Sequence, residues 1–324
     1  MTVLASGSKG NAAVVAAGAT RILVDAGLSC RELLRRMAAS GEDPAALTAI
    51  LITHEHVDHV AGLAVLARRL RIPVFFTEPT HRAWARLLTP KTTMSYSKWL
   101  ELRAAEQHAR QDEAAHAPAH TLAAVAVAEP EPEPQLEPED LPAPQAATAA
   151  KPDSTFLPAV EYFLAGHAFS IGEIDISPFT IPHDAADPCG FVFHARSESI
   201  RMAIATDLGY IPPNVKQALR EVDVLLLESN HDLEMLKDGP YPWSVKQRVL
   251  SRVGHLSNTA AAEFLLRDYD GGAHTIVLGH LSEQNNLPEL ARLAAEQAIA
   301  GRMSLLGNRL LLARQDVPLE PICL

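Results

Sequence analysis

Short apolar runs rich in Val, Ile and Leu recur along the chain, with helix-spaced apolar positions between many of them. Residues 2–4, 13–16 and 21–24 read as three short strands, with Gly18-Ala19 as a hairpin turn between the second and third. Ser29-Cys30-Arg31-Glu32 has the form of a capping box, which predicts a helix from Cys30 that ends before Gly41. A buried strand follows at 49–53. Then Val60, Leu63, Ala64, Leu66, Ala67 and Leu70 recur at helical spacing. Val74–Phe76 is a strand, and Pro79 opens a helix that runs to about Leu88.

The second half repeats this grammar. Strands are expected at Val160–Leu164, Ala168–Ser170, Ile174–Ile181, Gly190–Ala195, Ile200–Ala205 and Val222–Leu227. Helices are expected near 242–252 and 259–267, a buried strand at Ile276–Leu278, a helix near 288–299, and strands at 302–306 and 309–313. Strand-rich halves with helices between them fit two packed sheets carrying outer helices.

One stretch breaks the pattern. From 117 to 152 the chain is proline, glutamate and alanine without apolar periodicity, centred on Glu129-Pro130-Glu131-Pro132-Glu133-Pro134. Such a composition buries too little apolar surface to offset the entropy of ordering, so it reads as a disordered insertion within a single domain spanning 1–324. The bland role is a tolerated loop. The functional alternative is an acidic arm that binds a protein partner.

Composition narrows the class. With 48% hydrophobic residues in 324 there is material for a large core. No run is long and apolar enough for a membrane helix, and the N-terminus lacks the features of a signal peptide, so a cytoplasmic location is expected. The cysteines Cys30, Cys189 and Cys323 are too few and too scattered for a disulfide framework. The net charge of −11 argues against a broadly basic nucleic-acid binder, but residues 103–157 hold −7 of it, which leaves the rest only mildly acidic.

The chemistry concentrates in Thr53-His54-Glu55-His56-Val57-Asp58-His59, between the strand at 49–53 and the helix that follows. Side chains two apart in extended chain point the same way, so His54 and His56 can reach one ion. Asp58 and His59 sit where the chain turns and can reach a second. Imidazole with carboxylate suits zinc, manganese or iron. Ser6, Ser8 and Asn11 form a polar loop after the first strand, where backbone N–H groups and hydroxyls can cradle a phosphate, and Asn258 is a further candidate contact.

His-x-His-x-Asp-His after a hydrophobic strand resembles the signature of metallo-β-lactamase-fold hydrolases. Further motifs resemble the YycJ/WalJ-like branch: Leu4–Asn11, Pro182–Ala185, Ala205–Gly209, Glu228–Asp232, Gly254–Asn258 and Leu278–Ser282. The resemblance implies an αβ/βα four-layer sandwich. It also implies a ligand set: His54, His56 and His183 on one metal, Asp58, His59 and His280 on the other, Asp207 bridging, and Asp25 orienting the ligand loop from behind. It implies a binuclear hydrolase of phosphodiester bonds, exonuclease-like on DNA, in which a water between the cations loses its proton and attacks phosphorus. His255 is the first candidate to protonate the leaving group, with Glu228 and His231 next; Glu228 can also orient a histidine. Two alternatives stay open. One is a small-molecule hydrolase on the same site, namely a cyclic phosphodiesterase, thioesterase or lactonase. The other is a regulatory protein working through the acidic arm.

Overall fold

The computed structural model of the chain describes residues 1–89, 100–101, 103, 154–300 and 309–324. The insertion expected at 117–152 and the strand expected at 302–306 lie outside them.

Two mixed sheets carry the fold. The first has six strands in the order β1 (Thr2–Ala5), β2 (Ala12–Ala17), β3 (Thr20–Val24), β4 (Ala49–Leu51), β5 (Val74–Phe76) and β6 (Val160–Tyr162). The second comprises β7 (Phe169–Ile171), β8 (Ile174–Thr180), β9 (Cys189–Ala195), β10 (Ile200–Ala205), β11 (Val224–Glu228), β12 (Thr275–Gly279) and β13 (Arg309–Leu312). These lie side by side in chain order. Each sheet joins an antiparallel meander to parallel strands: β1–β3 antiparallel then β3–β6 parallel, and β7–β10 antiparallel then β10–β13 parallel.

Nine helices are described. On the first sheet are α1 (Cys30–Ala39), α2 (Val57–Val60), α3 (Leu63–Leu70) and α4 (Glu78–Leu88). In the second half are α5 (Pro213–Ala218), α6 (Leu233–Asp238), α7 (Trp243–Val249), α8 (Asn258–Arg267) and α9 (Pro288–Ile299).

Successive strand residues face opposite layers, and here both faces are dry. Val3 and Ile22 point between the sheets, while Leu4 and Leu23 point under α1 and α3. Likewise Val224 and Leu226 face the first sheet, while Leu225 and Leu227 face α5, α8 and α9. Three apolar cores therefore separate four layers, helix–sheet–sheet–helix, which is the expected αβ/βα sandwich. Cys30 and Cys189 are buried, Cys323 is exposed, and none is bridged.

Local differences have local causes. The helix expected across Val60–Leu70 is two helices, because Gly62 N donates to Ala26 O at 2.8 Å while the Asp58 carbonyl it would meet in a continuous helix accepts from Asn11 N at 2.7 Å. The capping box at Ser29 is half made. Ser29 Oγ accepts from Glu32 N at 3.3 Å, but the Glu32 carboxylate turns to Arg35 and Arg36 instead of back to Ser29. The expected helix 242–252 shortens to Trp243–Val249.

Direction places the site. β1, β3, β4 and β5 run one way in the first sheet, as do β8, β10, β11 and β12 in the second. Their C-terminal ends gather the chemistry, as in other open α/β sheets. Ser6 follows β1, Asp25 follows β3, His54 follows β4, His183 follows β8, Asp207 follows β10, Glu228 ends β11 and His280 follows β12. Asp25, Asp207 and His280 take left-handed backbone angles, with φ of 60°, 62° and 56°. Such angles are costly for residues with a Cβ and are held only where the surroundings dictate them.

Candidate active site

Thr53 leaves β4 and begins the ligand loop. Its backbone N–H and its hydroxyl both donate to Asp25, at 2.9 Å and 2.9–3.1 Å. With the hydroxyl hydrogen spent, Thr53 Oγ1 accepts from His54 Nδ1 at 3.0 Å. His59 Nδ1 donates to the other Asp25 oxygen at 2.8 Å. Both rings are thereby fixed as tautomers whose Nε2 carries a lone pair. The His54 and His56 rings stand 4.6 Å apart, as the extended spacing requires.

Asp58 and His59 lie on α2, whose return is closed by Asn11 and Gly27. Asn11 N donates to Asp58 O at 2.7 Å, and Ala26 N donates to His59 O at 2.8 Å. A Cβ on Gly27 would sit 1.6 Å from Asp58 O, so only glycine permits this approach.

The second sheet supplies the rest. His183 donates from Nδ1 to Gly254 O at 3.1 Å and turns Nε2 toward His56 Nδ1, 3.2 Å away. Glu228 is fully buried and saturated. Its Oε1 accepts from His255 Nδ1 at 2.8 Å and His280 Nδ1 at 2.9 Å, and its Oε2 accepts from Leu208 N at 2.5 Å and Leu256 N at 3.2 Å. No oxygen of Glu228 is left over, so it positions His255 and His280. His280 also donates its N–H to Ser6 Oγ at 2.8 Å.

Four overlapping groups of donors, each within 4.8 Å, result: His54–His56–His183, His54–His59–Asp207, Asp58–His59–His280, and Asp207–Glu228–His255–His280. His54 Nε2, Asp207 Oδ2 and His280 Nε2 are buried without a hydrogen-bond partner. A native fold rarely leaves three such atoms side by side. His59 Nε2 lies 3.5 Å from Asp58 Oδ2 and 3.4 Å from Asp207 Oδ2, and His280 Nε2 lies 3.6 Å from Asp58 Oδ2 and 3.5 Å from Asp207 Oδ1. These separations are long for hydrogen bonds. They match two donors each about 2.1 Å from one tetrahedral ion, which stand about 3.4 Å apart. The residues therefore fit divalent cations.

The electrostatics agree. Burial pushes His59 and His280 toward the neutral form. For His59 the charges of Asp207, Asp25 and Asp58 outweigh it, and for His280 those of Asp207, Asp58 and Glu228 do, so both are held well above the usual histidine range. Burial would raise Asp207, but His280, His59 and His54 hold it well below the usual carboxylate range. Burial would likewise raise Glu228, yet His255 and His280 bring it to about 2. His54 is depressed well below its ordinary value by burial and by its neighbour His59. A site that attracts protons this strongly is one where a cation can replace them.

Residues 6–280 match the sequence pattern described as the Metallo-beta-lactamase superfamily. The chain belongs to the metallo-beta-lactamase superfamily. Among curated members it is similar to Exodeoxyribonuclease WalJ of Streptococcus pneumoniae serotype 2 (strain D39 / NCTC 7466), at 32% identity over 299 residues, covering 92% of this chain and 87% of that one. It is also similar to Exodeoxyribonuclease YycJ of Bacillus anthracis, at 32% identity over 300 residues and 92% and 88% coverage. Among solved structures, the metallo-beta-lactamase fold protein YhfI from Bacillus subtilis superposes with a TM-score of 0.59 over 99% of this chain and 98% of that one; at 13% identity this speaks to the fold alone.

Within this metallo-beta-lactamase fold, the seven expected ligands come together, with Asp25 behind His59 and Glu228 behind His255. Four expected contacts do not face the centre as free groups. His231 is 1% exposed, and neither ring nitrogen has a partner or joins a donor group. Ser6 and Asn11 are buried in hydrogen bonds: Ser6 accepts from His280, while Asn11 exchanges two bonds with Gly7 at 2.9 and 3.1 Å, donates to Asp58 Oδ2 at 3.3 Å and sets its Nδ2 3.1 Å from His59 Nε2. Asn258 opens α8, bound to Ser229 and Asn286 at 2.7–2.9 Å, while Ser257 is the cap. The polar strand-end loops that read as a phosphate cradle hold backbone turns in place. Ser8 is exposed on that loop.

Two features went unseen in the sequence. Thr53 orients two histidines at once, and its only signal was its place beside His54. Arg248 forms a two-pronged ion pair with Asp184, beside His183, and nothing local marks that pairing. Among the described residues no helix is long and apolar enough to cross a membrane.

Proposed function

We propose that the chain is a metal-dependent phosphodiesterase that releases nucleotides from DNA ends. His54, His56 and His183 would hold one divalent cation, Asp58, His59 and His280 a second, and Asp207 would be available to both. Such ions, zinc or manganese, supply acidification of a water and compensation of phosphate charge. The observation that carries the reading is the set of three unpartnered buried donor atoms, on His54, Asp207 and His280, ringed by the other ligands.

The chain's own residues perform the rest. Asp25 and Thr53 keep His54 and His59 in one tautomer and one orientation. Glu228 accepts from His255 Nδ1, and its carboxylate remains ionised because it is held at about 2. The His255 ring is a fifth exposed, at 20%, so its other nitrogen is the one open to a bound substrate. From there Nε2 delivers a proton to the departing oxygen, and Glu228 stabilises the charge the ring carries before delivery. Burial of the surrounding shell excludes competing water.

The test is incubation of purified chain with manganese or zinc and end-labelled DNA. The expected result is stepwise loss of terminal nucleotides, abolished by chelator and in Asp58→Ala. A chain replete with metal that leaves DNA intact while Asp58→Ala behaves identically would overturn the reading.

A further inference from the structure

α7 is a seven-residue helix in which no side chain is buried. Trp243 is 67% exposed, Leu250 51%, Val253 43% and Val245 36%. Packing of an apolar face normally accounts for most of a short helix's stability, and this helix has little, with only Lys246 and Val249 half-buried. It is held by its ends and by polar ties instead. Lys246 Nζ donates to Lys237 O at 2.6 Å, Arg248 clasps Asp184, and His255 N donates to Val249 O at 2.9 Å. Gly254 lies so close to α7 that a Cβ would be 2.2 Å from Val249 O.

Those ties run straight into the centre. Asp184 Oδ1 is 3.5 Å from His183 Nε2, and His255 follows α7 within the same turn of chain. Tyr210 lies three residues after Asp207, and the Arg252 guanidinium sits over its ring at 4.2 Å. A tyrosine–arginine pair thus follows Asp207 closely in the chain, and α7, tied to His183 through Arg248 and Asp184, carries an exposed tryptophan and exposed aliphatics.

Its charge is opposite to that of the molecule. Residues 237–252 contain Lys237, Lys246, Arg248 and Arg252 against Asp238; Arg248 is matched by Asp184 and Lys237 lies 3.5 Å from Glu234, which leaves Lys246 and Arg252 as the cations open to a ligand in a chain of −11. A cationic surface carrying separated aromatic faces matches a single-stranded polynucleotide, whose phosphates take the cations and whose bases stack on the rings. A protein partner would be served by the aliphatics without the charge reversal.

We propose that α7 and the Tyr210–Arg252 pair form the rim that holds the unpaired stretch of the DNA strand being degraded, with Trp243 stacking a base and Arg252, seated on the Tyr210 ring, meeting a phosphate. This rests on the reading of the centre as a DNA phosphodiesterase and names the form of substrate it takes.

The test compares two substrates on the metal-loaded full chain: a single-stranded oligonucleotide and the small diester bis(p-nitrophenyl) phosphate. In Trp243→Ala, kcat/KM for the oligonucleotide should fall about tenfold further than for the small diester, mainly through KM. In Arg252→Ala, the slope of log KM against log salt should flatten by about 0.7, one single-strand phosphate contact. Equal losses on both substrates, or no loss on the oligonucleotide with an unchanged salt slope, would overturn the rim. Failure of the unsubstituted chain on any DNA is a different result, which would remove the proposed function itself.

Discussion

The floor of the site and its rim are built on opposite terms. His54, His59, His183, Asp207 and His280 are all nearly inaccessible, and four of the five have a second polar atom fixed by a neighbour: Thr53, Asp25, Gly254 or Glu228. α7, joined to His255 by the bond from His255 N to Val249 O, has no fully buried side chain and keeps its place through a few polar ties. The difference separates two tasks. Ion binding needs donors fixed to a fraction of an ångström, which strand ends and saturated hydrogen bonds provide. Holding a strand of arbitrary sequence needs exposed rings and charge that many bases and phosphates can meet.

The comparison breaks first if the floor tolerates change. Asp207→Ala removes the carboxylate proposed to serve both ions, and activity on DNA should drop roughly 10³-fold or more, the scale of several kcal/mol of charge compensation. Steady-state cleavage measures it, and a variant within tenfold of the parent would deny Asp207 its place. Asp25→Asn touches no ion. It removes the acceptor that fixes His59, and metal affinity should weaken about 10–100-fold, by competition with a chromophoric chelator. Glu228→Gln should lower kcat on DNA with a smaller change in KM, because the carboxamide cannot support the charged form of His255. An effect confined to KM would move Glu228 from proton transfer to substrate binding.

The smallest expected effect sharpens the boundary. His231 lies beside the floor but takes no part in it, and burial brings its ring to about 4 from an ordinary 6.5. The folded state thus resists a proton that the unfolded chain accepts. The stability it retains at neutral pH is lost as pH falls from about 6.5 through about 4. The whole interval corresponds to about 3 kcal/mol. In chelator-treated protein, His231→Gln should flatten the decline of folding free energy across that window, read by denaturant titration at several pH values. An identical decline in both proteins would mean that the ring is protonated in the fold.

How much of this was legible depends on where the information lies along the chain. The loop Thr53–His59 could be read directly, because its ligands are adjacent and the apolar run before it announces a strand. The four layers were legible too, since β3, β4, β11 and β12 are apolar on both faces. His183, Asp207 and His280 were different. Each stands alone in sequence, and only the resemblance of several ordered motifs joined them, because convergence of strand ends is a property of the folded sheets. The break at Gly62 depends on its N–H bonding to Ala26 O, more than thirty positions away, a pairing that no local pattern encodes. Ser6, Asn11 and Asn258 carry two readings for a physical reason. A sharp turn at a strand end needs polar side chains to satisfy its backbone, and the same residue types bind phosphate. The rim was hidden because an exposed Trp243 on a short helix looks, in sequence, like any amphipathic position.

The central claim is that seven side chains converge on a pair of divalent cations. Metal analysis of the chain purified without chelator, alongside Asp207→Ala and His183→Ala, tests it most directly. The account predicts two ions per chain in the parent, one in His183→Ala, and fewer than one in Asp207→Ala. Full DNA cleavage by a chain holding no metal, or the same metal content in all three proteins, would contradict it.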